Sequence, residues 1–265
     1  MEYFTLSNGL MIPKIGIGTN TFGKLNNEYS GEITMDTKEL LTAYENGYQL
    51  VDTAVAYRNE AVIGKSIIDA NLIRQEVIIT SKFPSKNLAD ISDEEIIRII
   101  NESIRNIGSY IDIYLIHHPT QSNELNLKIW RQLENYYKND HIKAIGVSNF
   151  NEEQLTYLMN HAEIKPMINQ IESNPGNWQN ELIKFCQNNN ILVTAWGPLD
   201  PVPNKEVFEK IGYKYQKTWA QVLLKYQISR GVLVIPKSHN KIRQFENINI
   251  FDFTLSDDDI KEIES

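Results

Sequence analysis

A chain of 265 residues, 42% of them hydrophobic, is long enough to bury a large core and still be one domain. Its 34 acidic residues against 26 lysines and arginines give a formal net charge of −8, which argues against a general nucleic-acid or anionic-membrane binder. The only cysteine, Cys186, excludes an intramolecular disulfide and a zinc site built from cysteines. No set of His, Asp and Glu residues has ligand spacing, so we expect no metal.

Targeting signals and domain boundaries are not visible in the sequence. The N-terminal residues lack the basic region and long apolar core of a signal peptide, and no apolar run approaches the roughly 18 residues that span a bilayer. We therefore expect a cytoplasmic protein that acts on neither membranes nor nucleic acids. Because no linker, repeat or change of composition divides the chain, we expect a single domain over residues 1–265.

Apolar runs alternate with amphipathic stretches along the chain. A hairpin is predicted over residues 3–12, with its turn at Asn8-Gly9. Eight strands follow, with these polar or aromatic residues near their carboxyl ends: Thr19, Asp52, Lys82, His117, Ser148 with Asn149, Gln170, Trp196 and Lys237. Helices are predicted over residues 35–47, 59–70, 92–108, 123–140, 151–162, 180–189 and 217–229, with a loop at 197–204, then a short helix and a final helix capped by Ser256.

Eight strand–helix units predict the α/β class with a parallel sheet. In a chain of about 250 residues they favour a closed (β/α)8 TIM barrel with an N-terminal β-hairpin over an open doubly wound sheet. The segment GIGTNTFG follows a strand but does not open a helix, so the dinucleotide fingerprint of an open sheet is absent.

The ends of the strands of such a barrel meet at one rim, where barrel enzymes carry out their chemistry. A phenol such as Tyr57, in the loop after Asp52, has an ordinary pKa of about 10, and a neighbouring ammonium lowers such a value by roughly 1–3 units. We expect Lys82 to lower the pKa of Tyr57 and Asp52 to keep Lys82 charged. His117 would hydrogen-bond a substrate oxygen, so the four residues predict a general acid for a carbonyl oxygen.

At these residues the chain resembles the aldo-keto reductase family, over about residues 16–247. The similar segments, in family order, are DTAVAYRNEAVIG, TSK, LIHHP, GVSNF, NQIE and IPKS, followed by Arg243 and Glu246-Asn247. The resemblance, which is to short bacterial members of the 2,5-diketogluconate reductase type, implies a catalytic tetrad of Tyr57, Asp52, Lys82 and His117, with Tyr57 as proton donor.

The resemblance also implies NADP(H) as cofactor. Ser148, Asn149 and Gln170 would hold the nicotinamide carboxamide, and Trp196 would stack under its ring. Lys237, Ser238, Asn240 and Arg243 would surround the 2′-phosphate, which rewards Lys and Arg. The remaining predicted cofactor contacts are Thr19, Gly197, Leu199, Glu246 and Asn247.

Several positions depart from the family pattern. Asn20 stands where an aromatic residue is common, His118 where tryptophan is common, and Gly197 where serine is usual. We assign Asn20, Phe22 and His118 to the substrate pocket. The substrate is expected to be a small carbonyl compound, reduced to an alcohol by a monomeric enzyme; keto-sugars such as diketogluconate, methylglyoxal and aryl aldehydes all remain open.

Alternative interpretations exist for each part of this hypothesis. Asp52 and Lys82 would also serve as a structural ion pair, Trp196 as a core residue, and residues 237–244 as a solvated basic surface. The whole chain would alternatively be an NADP-binding regulatory or structural protein with little turnover, or a barrel enzyme acting on a phosphorylated sugar without a nicotinamide. The absence of a glycine-rich phosphate loop after the late strands weakens the last interpretation.

Overall fold

Two sheets are present in residues 1–264, the part of the chain that the computed structural model describes. β1 (Tyr3–Thr5) and β2 (Met11–Pro13) pair antiparallel as the predicted hairpin, which turns at Gly9, where a φ of 87° favours glycine. The other eight strands pair parallel in chain order: β3 (Ile17–Gly18), β4 (Leu50–Asp52), β5 (Ile78–Phe83), β6 (Ile111–Ile116), β7 (Ile142–Ser148), β8 (Ile168–Glu172), β9 (Leu192–Trp196) and β10 (Val232–Val234).

The eight-stranded sheet closes on itself between β10 and β3. The amide of Gly16 donates to the carbonyl oxygen of Val234 over 2.9 Å, and the amide of Val234 donates to the carbonyl oxygen of Lys14 over 3.2 Å. A third bond joins the amide of Gly18 to the carbonyl oxygen of Pro236 over 3.1 Å. These bonds complete the ring and confirm the predicted (β/α)8 TIM barrel with its N-terminal hairpin.

Helices follow the barrel strands and bury apolar residues against them. They are α1 (Lys38–Glu45), α2 (Glu60–Asp69), α3 (Asp93–Ile107), α4 (Asn123–Lys138), α5 (Glu152–His161), α6 (Asn180–Asn188), α7 (Lys205–Tyr215), α8 (Trp219–Ser229), α9 (Lys241–Ile248) and α10 (Asp257–Glu264). For α3 the structure confirms the residues that predict its two ends. Ser92 Oγ accepts the amide of Glu95 at the start of α3, which ends at Gly108 with a φ of 79°.

Helix α7 differs from the sequence analysis, which predicts no element between the loop at 197–204 and the helix at 217–229. Its residues Phe208 and Ile211 are buried against Val222 and Leu223 of α8, in a small cluster separate from the main core. At Gly212 a Cβ would overlap the carbonyl oxygen of Lys217, so the glycine allows the close turn from α7 into α8.

The hairpin closes the amino-terminal end of the barrel and the predicted site residues lie at the other end. Ile12 is fully buried and contacts the barrel interior. Asp52, Ser148 and Trp196 are the last residues of their strands, while the other predicted strand-end residues lie within three positions of a strand end: Thr19, Lys82, His117, Asn149, Gln170 and Lys237. None of the helices in residues 1–264 combines the length and apolar character needed to cross a bilayer.

Candidate active site

A cleft of about 1110 Å³ lies at the carboxyl ends of the strands and collects most of the predicted site residues. Those that line it are Thr19, Asn20, Asp52, Tyr57, His117, His118, Ser148, Asn149, Gln170, Trp196, Gly197, Leu199, Lys237, Ser238, Arg243, Glu246 and Asn247. Residues from all eight strand ends, or from the loops that follow, therefore reach this cleft or stand directly behind it.

Three predicted residues do not line the cleft. Phe22 is fully buried with its ring centroid 4.9 Å from that of His239, so its assignment to the substrate pocket is wrong. Asn240 caps α9, because its Oδ1 accepts the amide of Arg243 over 3.0 Å, and it reaches the predicted phosphate site only by holding that backbone. Lys82 is completely buried behind Asp52 and Tyr57.

Lys82 connects an acid on one strand to the phenol in the next loop. Its Nζ donates to Asp52 Oδ1 over 2.5 Å and to the carbonyl oxygen of Thr53 over 2.9 Å. The Tyr57 hydroxyl lies 3.4 Å from the same nitrogen, which sits 4.9 Å from the centroid of the tyrosine ring. A short helical turn, Val55–Tyr57, carries the phenol over the ammonium. The predicted Asp52–Lys82–Tyr57 arrangement is therefore present.

The electrostatics of this group differ from the prediction. Burial raises the pKa of Tyr57 above the ordinary phenol value, and the charge of Lys82 only partly opposes it while Asp52 adds to it. The expected lowering of the Tyr57 pKa is thus wrong, because the sequence reveals neighbouring charges but not desolvation. Burial lowers the pKa of Lys82, but Asp52 and Tyr57 outweigh it, so the pKa is raised and Lys82 remains an ammonium.

Two stacked imidazoles stand beside the phenol. The ring of His117 meets that of Tyr57 edge-on at 5.6 Å and lies nearly parallel to the ring of His118 at 4.6 Å. Burial, reinforced by the charge of Lys82, lowers the pKa of His117 to about 3, so this ring is neutral near pH 7. Asn149 Nδ2 lies 3.3 Å from His118 Nδ1 and 3.0 Å from both the carbonyl oxygen of His117 and Ser148 Oγ, so this amide lies against the imidazole of His118.

The predicted nicotinamide contacts form one hydrogen-bonded wall of the cleft. Gln170 Nε2 donates to Asp52 Oδ2 over 2.7 Å, and Ser148 Oγ donates to the carbonyl oxygen of Gln170 over 2.9 Å. The indole nitrogen of Trp196 donates to Asn149 Oδ1 over 3.0 Å, which fixes the half-buried ring at the cleft wall. Gln170 thereby links this wall to the carboxylate that holds Lys82.

The other part of the cleft carries cations without acidic partners. Lys237 and Arg243 both line the cleft, and within residues 1–264 neither forms an ion pair. The nearby Ser238 contributes a hydroxyl. Two unpaired cations and a hydroxyl are the donors that a phosphate group requires, so the residues present fit the 2′-phosphate of NADP(H). Among the described residues no cluster of His, Cys, Asp and Glu side chains is arranged to hold a metal ion.

Asn59 is a supporting residue whose role the sequence did not reveal. Its position before α2 predicts a helix cap, but its side chain makes no capping bond. Instead Nδ2 donates to the carbonyl oxygens of Thr19 and Phe22 over 2.7 and 3.2 Å, and Oδ1 accepts from the Thr53 hydroxyl over 2.7 Å. Fully buried, it fixes the loop after β3 against the loop after β4, which places Asp52 and Tyr57.

Comparison with known proteins gives the same family from both sequence and structure. The model of the Aldo/keto reductase family matches residues 14–201 and 202–265. The uncharacterized oxidoreductase YtbE and the glyoxal reductase, both of Bacillus subtilis (strain 168), are 39% and 38% identical to this chain, each over 98% of this chain and 91% of the relative. The crystal structure of the Bombyx mori aldo-keto reductase AKR2E4 in complex with NADP superimposes with a TM-score of 0.86 at 32% identity, over 99% of this chain and 91% of that one. This chain belongs to the aldo/keto reductase family.

Proposed function

We propose that the protein reduces aldehydes or ketones to alcohols with NADPH and that Tyr57 protonates the carbonyl oxygen. The observation that carries this proposal is the Tyr57 phenol in the cleft, within 3.4 Å of a buried ammonium that Asp52 keeps charged. A general acid needs a proton that it holds before reaction and a way to stabilise the negative charge left behind. The phenol provides the first and Lys82 provides the second.

The four residues divide the work at the carbonyl. The bound nicotinamide would supply the hydride that reaches the carbonyl carbon. Tyr57 gives its hydroxyl proton to the oxygen, and the ammonium of Lys82, held by Asp52 and the Thr53 carbonyl, stabilises the phenolate. His117 is neutral, so it orients the carbonyl oxygen through an N–H bond rather than by donating a proton.

The cofactor assignment rests on the family and on the charges of the cleft. The Bombyx mori relative was crystallised with NADP. Lys237 and Arg243, which form no ion pair within residues 1–264, offer positive charge to the 2′-phosphate that NADP(H) carries and NAD(H) lacks. Asn149, Gln170 and Ser148 would hold the carboxamide and Trp196 would pack against the nicotinamide ring. Hydrogen bonds among these residues and to Asp52 hold the four side chains at this wall of the cleft.

A small, polar carbonyl compound fits the substrate side of the cleft. His118 presents a polar imidazole beside His117, where a tryptophan would present a larger apolar face. Asn20 lines the cleft, and its amide oxygen is buried without a hydrogen-bond partner among residues 1–264. The glyoxal reductase of Bacillus subtilis supports a short dicarbonyl as one substrate, and a keto-sugar would use the same polar groups.

The test is NADPH oxidation over a panel of methylglyoxal, aryl aldehydes and keto-sugars, with Tyr57→Phe beside the wild type. Removing the acid lowers kcat by about 10²- to 10⁴-fold, while the dissociation constant of NADPH stays unchanged because the phenol binds no part of it. The matched control is Tyr29→Phe, since the Tyr29 ring contacts that of Tyr57 at 6.0 Å but does not line the cleft. It should retain kcat within about twofold.

Two outcomes would count against the proposal. Turnover that survives in Tyr57→Phe would show that another group protonates the oxygen. Tight binding of NADPH without turnover of any carbonyl would favour the NADP-binding regulatory protein.

A further inference from the structure

A chain of hydrogen bonds leads from Lys237 away from the cleft. Lys237 Nζ donates to Thr21 Oγ1 over 3.2 Å, and the same hydroxyl oxygen lies 2.8 Å from His239 Nε2. On the other side of the imidazole, Nδ1 lies 3.0 Å from Glu39 Oε1. Of these four residues only Lys237 lines the cleft, so Thr21, His239 and Glu39 would not contact a ligand bound there.

The directions of the two outer bonds follow from what each group can donate. An ammonium only donates, so Thr21 Oγ1 accepts from Lys237. A carboxylate only accepts, so His239 Nδ1 donates to Glu39 Oε1, and the bond between His239 Nε2 and Thr21 Oγ1 joins the two ends with either atom as donor. Three hydrogen bonds therefore connect Lys237 to Glu39 through Thr21 and His239.

The middle of this chain is held rigidly. The ring of His239 packs on that of the fully buried Phe22, with centroids 4.9 Å apart. Gln244, buried on α9, donates from Nε2 to the carbonyl oxygen of Ser238 over 2.8 Å and to that of Glu39 over 3.3 Å. Gln244 therefore fastens the segment that carries Lys237 to α1.

We propose that Thr21, His239 and Glu39 form a positioning relay that holds the Lys237 ammonium for the 2′-phosphate of NADPH and so strengthens the preference for NADPH over NADH. The proposal rests on the proposed function, since it assumes that this phosphate binds at Lys237 and Arg243. His239 is a positioning residue here, because it acts through Thr21.

The relay matters because lysine is otherwise a poor fixed partner. Its four-carbon stem is flexible, and ordering it on binding costs conformational entropy. A single bond to Thr21 fixes the nitrogen before the ligand arrives and leaves the other two N–H groups of the ammonium for phosphate oxygens. NADH lacks that phosphate, so it gains nothing from a fixed Lys237.

The experiment measures dissociation constants of NADPH and NADH by titration calorimetry on the purified full chain. His239→Phe keeps a planar ring against Phe22 but removes both nitrogens, and Thr21→Val removes the hydroxyl at nearly constant volume. Each should raise the dissociation constant of NADPH by about 2- to 10-fold, the range for one hydrogen bond, with that of NADH unchanged. In the double variant the dissociation constant of NADPH should rise no further than in the more affected single variant, because both substitutions interrupt the same series of hydrogen bonds.

Lys241→Met is the matched control. Its ion pair with Glu45, at 2.9 Å, joins the same helices α9 and α1 but lies outside the relay, so both dissociation constants should stay as in the wild type. Three outcomes would each overturn the relay. In His239→Phe these are equal increases in the dissociation constants of NADPH and NADH, or no change in either constant. In the double variant it is a loss of NADPH affinity equal to the sum of the two single losses.

Lys237→Met separates this proposal from the one on which it rests. If Lys237→Met raises the dissociation constant of NADPH but not that of NADH, the phosphate site is established whatever the relay variants do. If Lys237→Met raises both dissociation constants alike, the assignment of the 2′-phosphate to Lys237 is wrong and the relay proposal is wrong with it.

Discussion

The two ends of the cleft use charge in opposite ways. Around Tyr57 the charges are internally paired: Lys82 and Asp52 are buried and bonded to each other, and Gln170 bonds the second carboxylate oxygen. Around Lys237 and Arg243 the charges have no acidic partners in the described part of the chain. The first arrangement stabilises a geometry before any ligand arrives, and the second reserves its electrostatic attraction for a ligand.

This difference has an energetic consequence. A buried ion pair pays its desolvation cost during folding and is strongly destabilising when only one partner is removed. A half-exposed unpaired cation contributes little to folding and gives up its hydration only when an anion binds. Substitutions at the Tyr57 end should therefore change both stability and catalysis, whereas substitutions at the Lys237 end should change ligand affinity alone.

The largest expected effect is that of Lys82→Met. It leaves Asp52 buried without its cation and removes the charge that stabilises the phenolate, so we expect a loss of about 3–5 kcal/mol in the free energy of unfolding together with loss of turnover. Urea denaturation measures the first and NADPH oxidation the second. Lys138→Met, which breaks an exposed ion pair with Glu163, serves as control and should cost at most about 1 kcal/mol. If Lys82→Met unfolds at the same midpoint urea concentration as the wild type, the pair of Lys82 and Asp52 does not stabilise the fold.

Arg243→Ala should have a smaller effect, confined to the ligand. Loss of a charged hydrogen-bond donor should raise the dissociation constant of NADPH by about 10- to 100-fold and that of NADH by less than about twofold. The free energy of unfolding, measured without cofactor, should stay within about 0.5 kcal/mol of the wild type, because the guanidinium forms no ion pair or hydrogen bond within residues 1–264. Arg98→Ala, on an exposed face of α3, changes the net charge equally and should leave both affinities intact. Equal losses for the two cofactors would contradict the assignment of the phosphate.

Much of the architecture was predictable because it depends on local patterns. Alternating apolar runs and amphipathic stretches located the eight strands, and the strand ends brought Asp52, Lys82 and His117 to one rim. Helix α7 was missed because its few apolar residues, Phe208 and Ile211 among them, find their partners only in α8 and near the C-terminus. Its pattern is intelligible once those partners are known, but not before.

Long-range contacts and burial account for the remaining errors. Phe22 and Asn240 lie close in sequence to cleft residues, yet one side chain turns into the core and the other onto its own helix. His239 bonds Thr21 and Glu39, which lie 218 and 200 positions away in the sequence, so no local motif could predict these hydrogen bonds. The raised pKa of Tyr57 has the same origin, since neighbouring charges are visible in a sequence but the exclusion of water is not.

The smallest expected effect is a difference in pH dependence between the two ends. Burial lowers the pKa of Lys237 below the ordinary lysine value, whereas the pKa values of Tyr57 and Lys82 are raised. As pH rises, Lys237 should lose its proton first, so the KM for NADPH should increase while kcat is still constant. The decline of kcat should follow only above about pH 10, when Tyr57 gives up the proton that it must donate. His117, with a pKa of about 3, is already neutral at pH 5 and adds no acidic limb between there and neutrality.

Steady-state kinetics from pH 5 upward, with NADH as the parallel cofactor, test this order directly. The KM for NADH should not show the early increase, because NADH has no 2′-phosphate for Lys237 to hold. Lys237→Arg should shift the increase in the KM for NADPH to higher pH, since a guanidinium keeps its charge throughout the range. If kcat instead falls at a lower pH than the one at which the KM rises, Tyr57 loses its proton before Lys237 does. The pH dependence would then contradict the contrast drawn between the buried charges around Tyr57 and the cations at Lys237 and Arg243.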